Sequence, residues 1–287
     1  MTAQLLDGRA MGAEIRAELR AEVRAYSERR GSAPGLVIVR AGGEAASGVY
    51  SKAILRVAED VGVQARLEQL PAHTSPDELR AALLRLNDDV ATHGVIVQMP
   101  LPDHLPQKLV ADTLVPSKDI DGISAGSAGN LFLGLPSFLP STAAAVMEML
   151  ARTQTPLDGR RVVILGRSNV VGKPLAMMLL QKNATVTVCH SRTANLPFYT
   201  RQAAVLIAAV GRPRMVTADL VCPGATVIDV GINPLPEGGI VGDVDLASVR
   251  EVAAAVTPTP GGIGPLTNVM LLKQCIEAAR IAAEEAS

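Results

Sequence analysis

The stretch Arg161-Val162-Val163-Ile164-Leu165-Gly166-Arg167-Ser168-Asn169-Val170-Val171-Gly172-Lys173-Pro174 decides the fold. Its first five residues are a short, mostly β-branched apolar run, the pattern of a buried strand. Gly166 ends that run, and from Gly172 to Gln181 the pattern is helical. A strand that turns through glycine into a helix suits phosphate. Glycine lets backbone approach a ligand, and the free N–H groups and partial positive charge of the helix N-terminus face its negative charge. A Walker A loop has four residues between its glycines and a hydroxyl after its lysine. Here five residues separate Gly166 from Gly172, and Pro174 takes the hydroxyl position, so an ATPase reading fails. The dinucleotide fingerprint G-x-G-x-x-G is not matched either, although its setting between strand and helix is right. An ordinary strand-to-helix turn is the alternative reading.

Outward from this stretch, further strands are expected at 184–188, 204–208 and 225–230. In the first half, a strand at 36–39, a helix at 46–61, a strand at 63–70, a helix at 76–90 and a strand at 94–99 read as β-α-β-α-β. Strands joined through helices of this length pair in parallel with right-handed crossovers, which makes the chain an α/β protein with ligands at the carboxyl ends of its strands. Dividing 287 residues by about 150 per domain gives two domains or one large one. The Pro-, Gly- and Ser-rich segment 115–140 is the candidate boundary. The expected division is 1–139 with the C-terminal helix 266–287 as one domain, and 140–265 as a Rossmann-like second.

Composition narrows the partners. Hydrophobic residues at 48% against 19% charged exclude disorder driven by charge, and 27 Lys+Arg against 28 Asp+Glu offer no general basic field for nucleic acid or anionic lipid. Small molecules are the expected partners, with no nucleic acid and no membrane. Cys189, Cys222 and Cys275 are too far apart for a disulfide framework or zinc cluster, which fits a reducing compartment. The N-terminus lacks the basic start and apolar run of a secretory signal, and no stretch reaches the roughly 20 apolar residues of a membrane span, so the cytoplasm is expected.

The strand at 184–188 runs into Cys189-His190-Ser191-Arg192. An NAD-specific site carries an acidic residue here for the ribose 2′-hydroxyl. This chain offers a hydroxyl and a guanidinium, with Arg167 nearby, so a 2′-phosphate is welcomed and NADP is expected over NAD. The competing reading makes Arg192 a solvated surface charge.

The runs GRSNVVGKP at 166–174, TVTVCHSRT at 185–193, VIDVGIN at 227–233, GDVD at 242–245 and TPTPGGIGPLT at 257–267 closely resemble methylenetetrahydrofolate dehydrogenase/methenyltetrahydrofolate cyclohydrolase. ASGVY at 46–50, GVIVQMPLP at 94–102 and KDIDG at 118–122 resemble that family's folate-site motifs. The resemblance implies a homodimeric two-domain α/β enzyme of one-carbon metabolism and purine biosynthesis, with a cleft between a catalytic and an NADP-binding domain. Carried over by position, Tyr50 stacks on the pterin, Gln98 orients a catalytic lysine and Asp121 hydrogen-bonds the pterin. Pro260, Gly261, Gly262 and Gly264 line nicotinamide and folate. Gly166, Arg167, Ser168, Ser191, Arg192, Gly211 and Ile232 surround the cofactor. Asp119 and Asp121 together suggest a metal only weakly, since two carboxylates without a third ligand make a poor site; no metal is expected.

The sequence departs from the family pattern on the folate side. The family's catalytic lysine stands four residues after the tyrosine, where this chain has Ile54. The nearest lysine, Lys52, is two residues from Tyr50, and two residues turn a helix by about 200°, so it points away. Ser124, Ser127 and Asn130 replace the usual His, Asn and Arg, and Ser141-Thr142-Ala143-Ala144-Ala145 replaces Cys-Thr-Pro-x-Gly. Hydride transfer is mainly a positioning task and survives loss of the amine; opening the methenyl ring with water needs proton transfer, which isoleucine cannot perform. The expectation is an NADP-dependent dehydrogenase with weak or absent cyclohydrolase activity. The alternative is a non-catalytic folate- or dinucleotide-binding paralogue.

Overall fold

The structure is a computed structural model that describes residues 2–42 and 45–285. The side chains of Ala46, Ser47 and Val49, within the ASGVY motif, lie outside what it describes. In chain order the elements begin β1 (Gln4–Leu5), α1 (Gly8–Arg30), β2 (Gly35–Ala41), α2 (Ala45–Val61), β3 (Gln64–Leu70), α3 (Pro76–Asp88) and β4 (Gly94–Val97). Then come α4 (Gln107–Thr113), α5 (Ala125–Leu133), α6 (Ser141–Arg152), β5 (Arg161–Leu165), α7 (Gly172–Leu180), β6 (Thr185–Cys189), α8 (Leu196–Thr200) and β7 (Val205–Ala208). The last are β8 (Thr226–Asp229), β9 (Asn233–Pro234), β10 (Ile240–Val241), α9 (Leu246–Val249), β11 (Ala255–Val256) and α10 (Ile263–Glu285).

The chain divides into two compact units: Met1–Gly12 with Thr142–Thr267, and Ala13–Ser141 with Asn268–Ser287. The sequence reading put residues 1–139 together, and this is corrected at the N-terminus. Residues 1–12 group with the later unit because β1 pairs in parallel with β11, Gln4 opposite Ala255 and Leu5 opposite Val256, and because the Ala3 N–H donates to the Arg250 carbonyl.

In the unit built around β5, the strands run in the order β1-β11-β8-β7-β5-β6, paired in parallel. Val162–Leu165 and Val205–Ala208 are buried throughout, as strands covered on both faces must be. Val163, Leu165, Leu206 and Ala208, on one face, join Val227 and Val256 in one apolar core. β5 has β6 on one side and β7 on the other, so the chain reverses its direction of travel across the sheet there. A crevice for ligand opens at the carboxyl ends of strands at such a point. The glycine loop leaves from that end of β5.

The unit built around β2 holds the parallel sheet β3-β2-β4, with Val37 opposite Val95 and Ile38 opposite Leu67. Leu79, Leu83 and Leu86 of α3 cover it at helical spacing. α3 starts on a capping box, Ser75 with Glu78, and on Pro76. Ile15, Leu19, Val23 and Tyr26 form the buried stripe of α1, a helix the sequence reading left out. The segment 115–140, read as irregular, contains α5. Ser124 caps its first turn by accepting from the Ser127 N–H, and Gly134 ends it at φ 72° in the left-handed region. Two glycines inside α5 hid it, because glycine weakens the helical pattern.

Candidate functional site

Gly166 holds φ at +121°, and a Cβ there would lie 2.2 Å from the Ala209 carbonyl oxygen. A Cβ on Gly172 would lie 2.2 Å from the Gly166 carbonyl oxygen. The turn between β5 and α7 therefore folds this tightly only with glycine at both places. It borders a cavity of about 240 Å³ lined by Gly166, Arg167, His190, Ser191, Val210, Arg212 and others. Leu165, Cys189, Leu196 and Met215 supply its apolar wall, while Arg167, Ser191 and Arg212 are exposed at its edge. Two guanidiniums and a hydroxyl around an apolar slot are a donor set for an aromatic ring system carrying phosphate.

Not every residue expected here lines the cavity. The Ser168 hydroxyl accepts the Val171 N–H at 3.1 Å, closing the glycine loop on itself. Arg192 is exposed beyond the lining, and its N–H donates to His190 Nδ1 at 3.1 Å. Gly211 donates its N–H to Asp243 at 3.0 Å. His190, Leu196, Arg212 and Met215 were missed; only their place after a strand end could have signalled them.

A second cavity in the same unit, about 220 Å³, is lined by Ile232, Pro260, Gly261, Gly262 and Gly264 together with Arg9 and Asp229. This brings together four residues expected at the nicotinamide and folate with Ile232, expected around the cofactor. The N-terminus of the chain is built into it: the Gly8 N–H donates to the Gly261 carbonyl at 2.9 Å, and a Cβ on Gly8 would lie 1.8 Å from the Gly262 carbonyl oxygen. Asp229 accepts the N–H groups of Gly231, Asp243 and Val244 at 2.9, 2.9 and 3.1 Å. Burial pushes its carboxyl up to about 6, against the lowering effect of those bonds, with the nearby Asp243 raising it further.

In the β2 unit Tyr50 and Asp121 gather around Ser141. The Ser141 N–H donates to Asp121 at 3.2 Å, and the Ser141 side chain has a lowering effect on the pKa of both Asp121 and Tyr50. The carboxyl of Asp121 is pushed up to about 6, first by burial and also by Asp119, while its Ser141 bonds pull it down. Tyr50 is 37% exposed, yet burial of its phenol and the Asp121 carboxylate raise its pKa above the ordinary tyrosine value. A ring with an open face thus stands beside a carboxylate with acceptor capacity left, a pairing suited to a flat heterocycle with N–H donors.

Gln98 follows β4, is buried, and its N–H donates to the Val39 carbonyl at 2.9 Å. Asp119 is structural: its carboxylate accepts the N–H groups of Ile123 and Ser124 at 3.1 and 2.7 Å and the Ser127 hydroxyl at 2.6 Å. The two serines that replace the family's His and Asn are thereby committed to holding the turn into α5. On α2, Ser51, Ile54, Ala58 and Val61 form the buried stripe, with Ile54 at 0% exposure, and Lys52 is exposed.

The fold and the two cavities define a Rossmann-like nucleotide-binding unit joined in one chain to a second α/β unit. Residues 140–283 match the family described as tetrahydrofolate dehydrogenase/cyclohydrolase, NAD(P)-binding domain, and residues 6–121 match its catalytic domain. The chain belongs to this family. It is 49% identical to the bifunctional protein FolD of Polaromonas naphthalenivorans, a match covering 97% of this chain and 99% of that protein. The crystal structure of the bifunctional FolD methylenetetrahydrofolate dehydrogenase/cyclohydrolase of Campylobacter jejuni superposes with a TM-score of 0.95 at 40% identity, over 97% of this chain and 99% of that one. The Trypanosoma brucei enzyme, solved with NADP and an inhibitor, gives 0.93 at 34% identity over 99% of both chains. The family resemblance read from the motifs and the two-part α/β class are borne out, and the chain is an enzyme that uses a nicotinamide dinucleotide.

Proposed function

We propose that this chain oxidises 5,10-methylenetetrahydrofolate to the methenyl form with NADP, and that it hydrolyses that product to 10-formyltetrahydrofolate weakly or not at all. The observation that carries the second clause is Ile54, fully buried in the stripe of α2 at the position of the family's lysine. Lys52, on the exposed side of the same helix, is no substitute.

NADP, when bound, supplies the nicotinamide carbon that takes the hydride. The chain's residues bind and orient. Arg167 and Ser191 would hold the 2′-phosphate, with Arg192 adding positive charge from outside the cavity wall. The loop from Pro260 to Gly264, with Ile232, would line the nicotinamide and keep water from it. In the β2 unit, Tyr50 lies flat on the pterin and the ionised Asp121 accepts its N–H groups. Gln98 stands at the end of β4 to orient a partner on the substrate side. None of these groups needs to move a proton for the hydride to leave. Hydrolysis is different: water adds to the methenyl carbon and gives up both of its protons, one to the ring nitrogen as the C–N bond breaks and one to solvent. A lysine of lowered pKa performs such transfers, and Ile54 has no ionisable group. The assembly is a homodimer and the compartment the cytoplasm.

The test is a pair of assays on the purified protein. NADPH formation from methylenetetrahydrofolate is expected to be robust, and decay of the methenyl absorbance to stay close to the uncatalysed rate. Fast hydrolysis that survives Lys52→Ala would overturn the second clause. Absence of NADPH formation would leave the paralogue that binds without turnover.

A further inference from the structure

We propose that Asp243 is a positioning residue for the dinucleotide, fixing in one geometry the loops that leave the carboxyl ends of β7 and β8. The proposal rests on the reading that the cavities on these loops take NADP. Asp243 is fully buried in the GDVD segment. Its Oδ2 accepts the N–H groups of Val210 and Gly211 at 2.6 and 3.0 Å, and its Oδ1 accepts the Arg212 N–H at 2.8 Å and the Asn233 amide at 2.9 Å. Successive N–H groups converging in this way form a nest that ordinarily takes an anion. Here the anion is a side chain of the protein, and the nest lies in the wall of a ligand cavity: Val210 and Arg212 line the one that also holds Gly166 and Arg167. Asn233 follows Ile232, which lines the cavity of the Pro260–Gly264 loop.

Asp243 is itself held. Its own N–H donates to Asp229 at 2.9 Å, and the Asp229 N–H donates to the Thr257 hydroxyl at 2.7 Å, just ahead of the Pro260 loop. Both glycines of the motifs make room for this pair. A Cβ on Gly231 would lie 2.4 Å from the Asp243 carboxyl, and one on Gly242 would lie 1.6 Å from Asp229 Oδ2. Two like charges buried side by side are a costly way to fill space, and apolar side chains do so at less cost. What the carboxylates add is direction, since each fixes the orientation of several peptide N–H groups at once. The distance between the two cavities, which one dinucleotide must span, is then set by this pair.

The experiment measures NADP binding by titration, and KM for NADP and for methylenetetrahydrofolate, on the full chain and on Asp243→Asn, Asn233→Ala and Arg167→Ala. Asp243→Asn keeps the shape and loses about half the acceptor capacity; the expected result is a rise of about tenfold or more in the Kd and KM for NADP. The folate KM is expected to stay within about twofold, while Asn233→Ala, which removes one donor, shows a smaller rise of the same kind. A merely structural aspartate would lower the unfolding midpoint and leave the NADP KM of the folded protein unmoved, and that result overturns the proposal. Equal rises in both KM values overturn it as well. If Asp243→Asn does not fold, Asn233→Ala decides by the same criterion. An NADP affinity indifferent to Arg167→Ala would instead mean that the assignment of NADP to these cavities has failed.

Discussion

Each unit holds two aspartates close together, and the two pairs are used differently. In the β5 unit, Asp229 and Asp243 are both enclosed by N–H donors of their own chain. In the β2 unit only Asp119 is so enclosed; Asp121 has Ser141 as its hydrogen-bonding partner and stands beside the open ring of Tyr50. A carboxylate whose acceptor sites are filled by backbone shapes a loop, and one with sites left over is available to a ligand. Burial alone does not separate the cases, because Asp229 and Asp121 are both pushed up to about 6. On the proposed reading the contrast extends to the residues around them: the dinucleotide side keeps the family's motifs, while on the folate side Ile54 stands where the resemblance expects a lysine.

The sharpest test of that contrast is Ile54→Lys. Restoring a proton carrier should raise methenyltetrahydrofolate hydrolysis by about 10²-fold or more, since general acid–base groups contribute about 10² to 10⁴. Dehydrogenation should change by less than about tenfold, because it depends on positioning. The new amine enters a fully buried stripe, so a lower unfolding midpoint is expected too. Parallel gains in both activities would erase the distinction between the two reactions.

Asp121→Asn comes next in size. An amide cannot accept paired N–H groups as a carboxylate does, and losing a charge-assisted bond of about 1.5–3 kcal/mol raises the folate KM by about ten- to a hundredfold. The KM for NADP should not follow. The same carboxyl sets a pH dependence: with its pKa at about 6, folate affinity falls as pH drops through that value and the acceptor is protonated. For stability the sign is opposite. Asp121 and Asp229 are raised from 3.8 to about 6 by folding, so between those values the folded chain binds more protons than the unfolded one. Their contribution is fully present below about 4 and is lost as pH rises through about 6. Denaturant midpoints recorded from pH 4 to pH 7 for the wild type and Asp229→Asn check it, the variant showing the shallower decline.

How far this division was legible in the sequence depends on the range of the contacts. The β5 strand, the glycine turn and the helix after it are local events, written in consecutive residues, and the NADP preference followed from four residues at one strand end. The role of Asp243 was not legible, because its partners at 210–212 lie more than thirty residues earlier and only the sheet brings them together. Asp119 reads from the sequence as a weak metal candidate for the same reason: nothing in KDIDG tells that Ser124 and Ser127 turn back onto it. α1, by contrast, is legible in principle, since its stripe of Ile15, Leu19, Val23 and Tyr26 has a helical period. β1 is two residues long, a strand only because β11 is there to receive it.

The smallest predicted effects separate glycines that are required from one that is not. Gly242 faces Asp229, where an added Cβ would sit 1.6 Å from a carboxylate oxygen. Gly242→Ala must push the aspartate pair apart, and overpacking of this kind costs about 1–3 kcal/mol, read as a lower denaturant midpoint. Gly129 lies within α5, with nothing within 4 Å of where its Cβ would be. There alanine meets no neighbour and helix formation favours it, so Gly129→Ala should stabilise by about 0.5–1 kcal/mol. The NADP and folate KM values should be untouched by it. A loss of stability at residue 129 would mean that α5 needs its glycines for contacts the fold does not reveal, and the reading of this segment as a plain capped helix beside Asp119 would have to go.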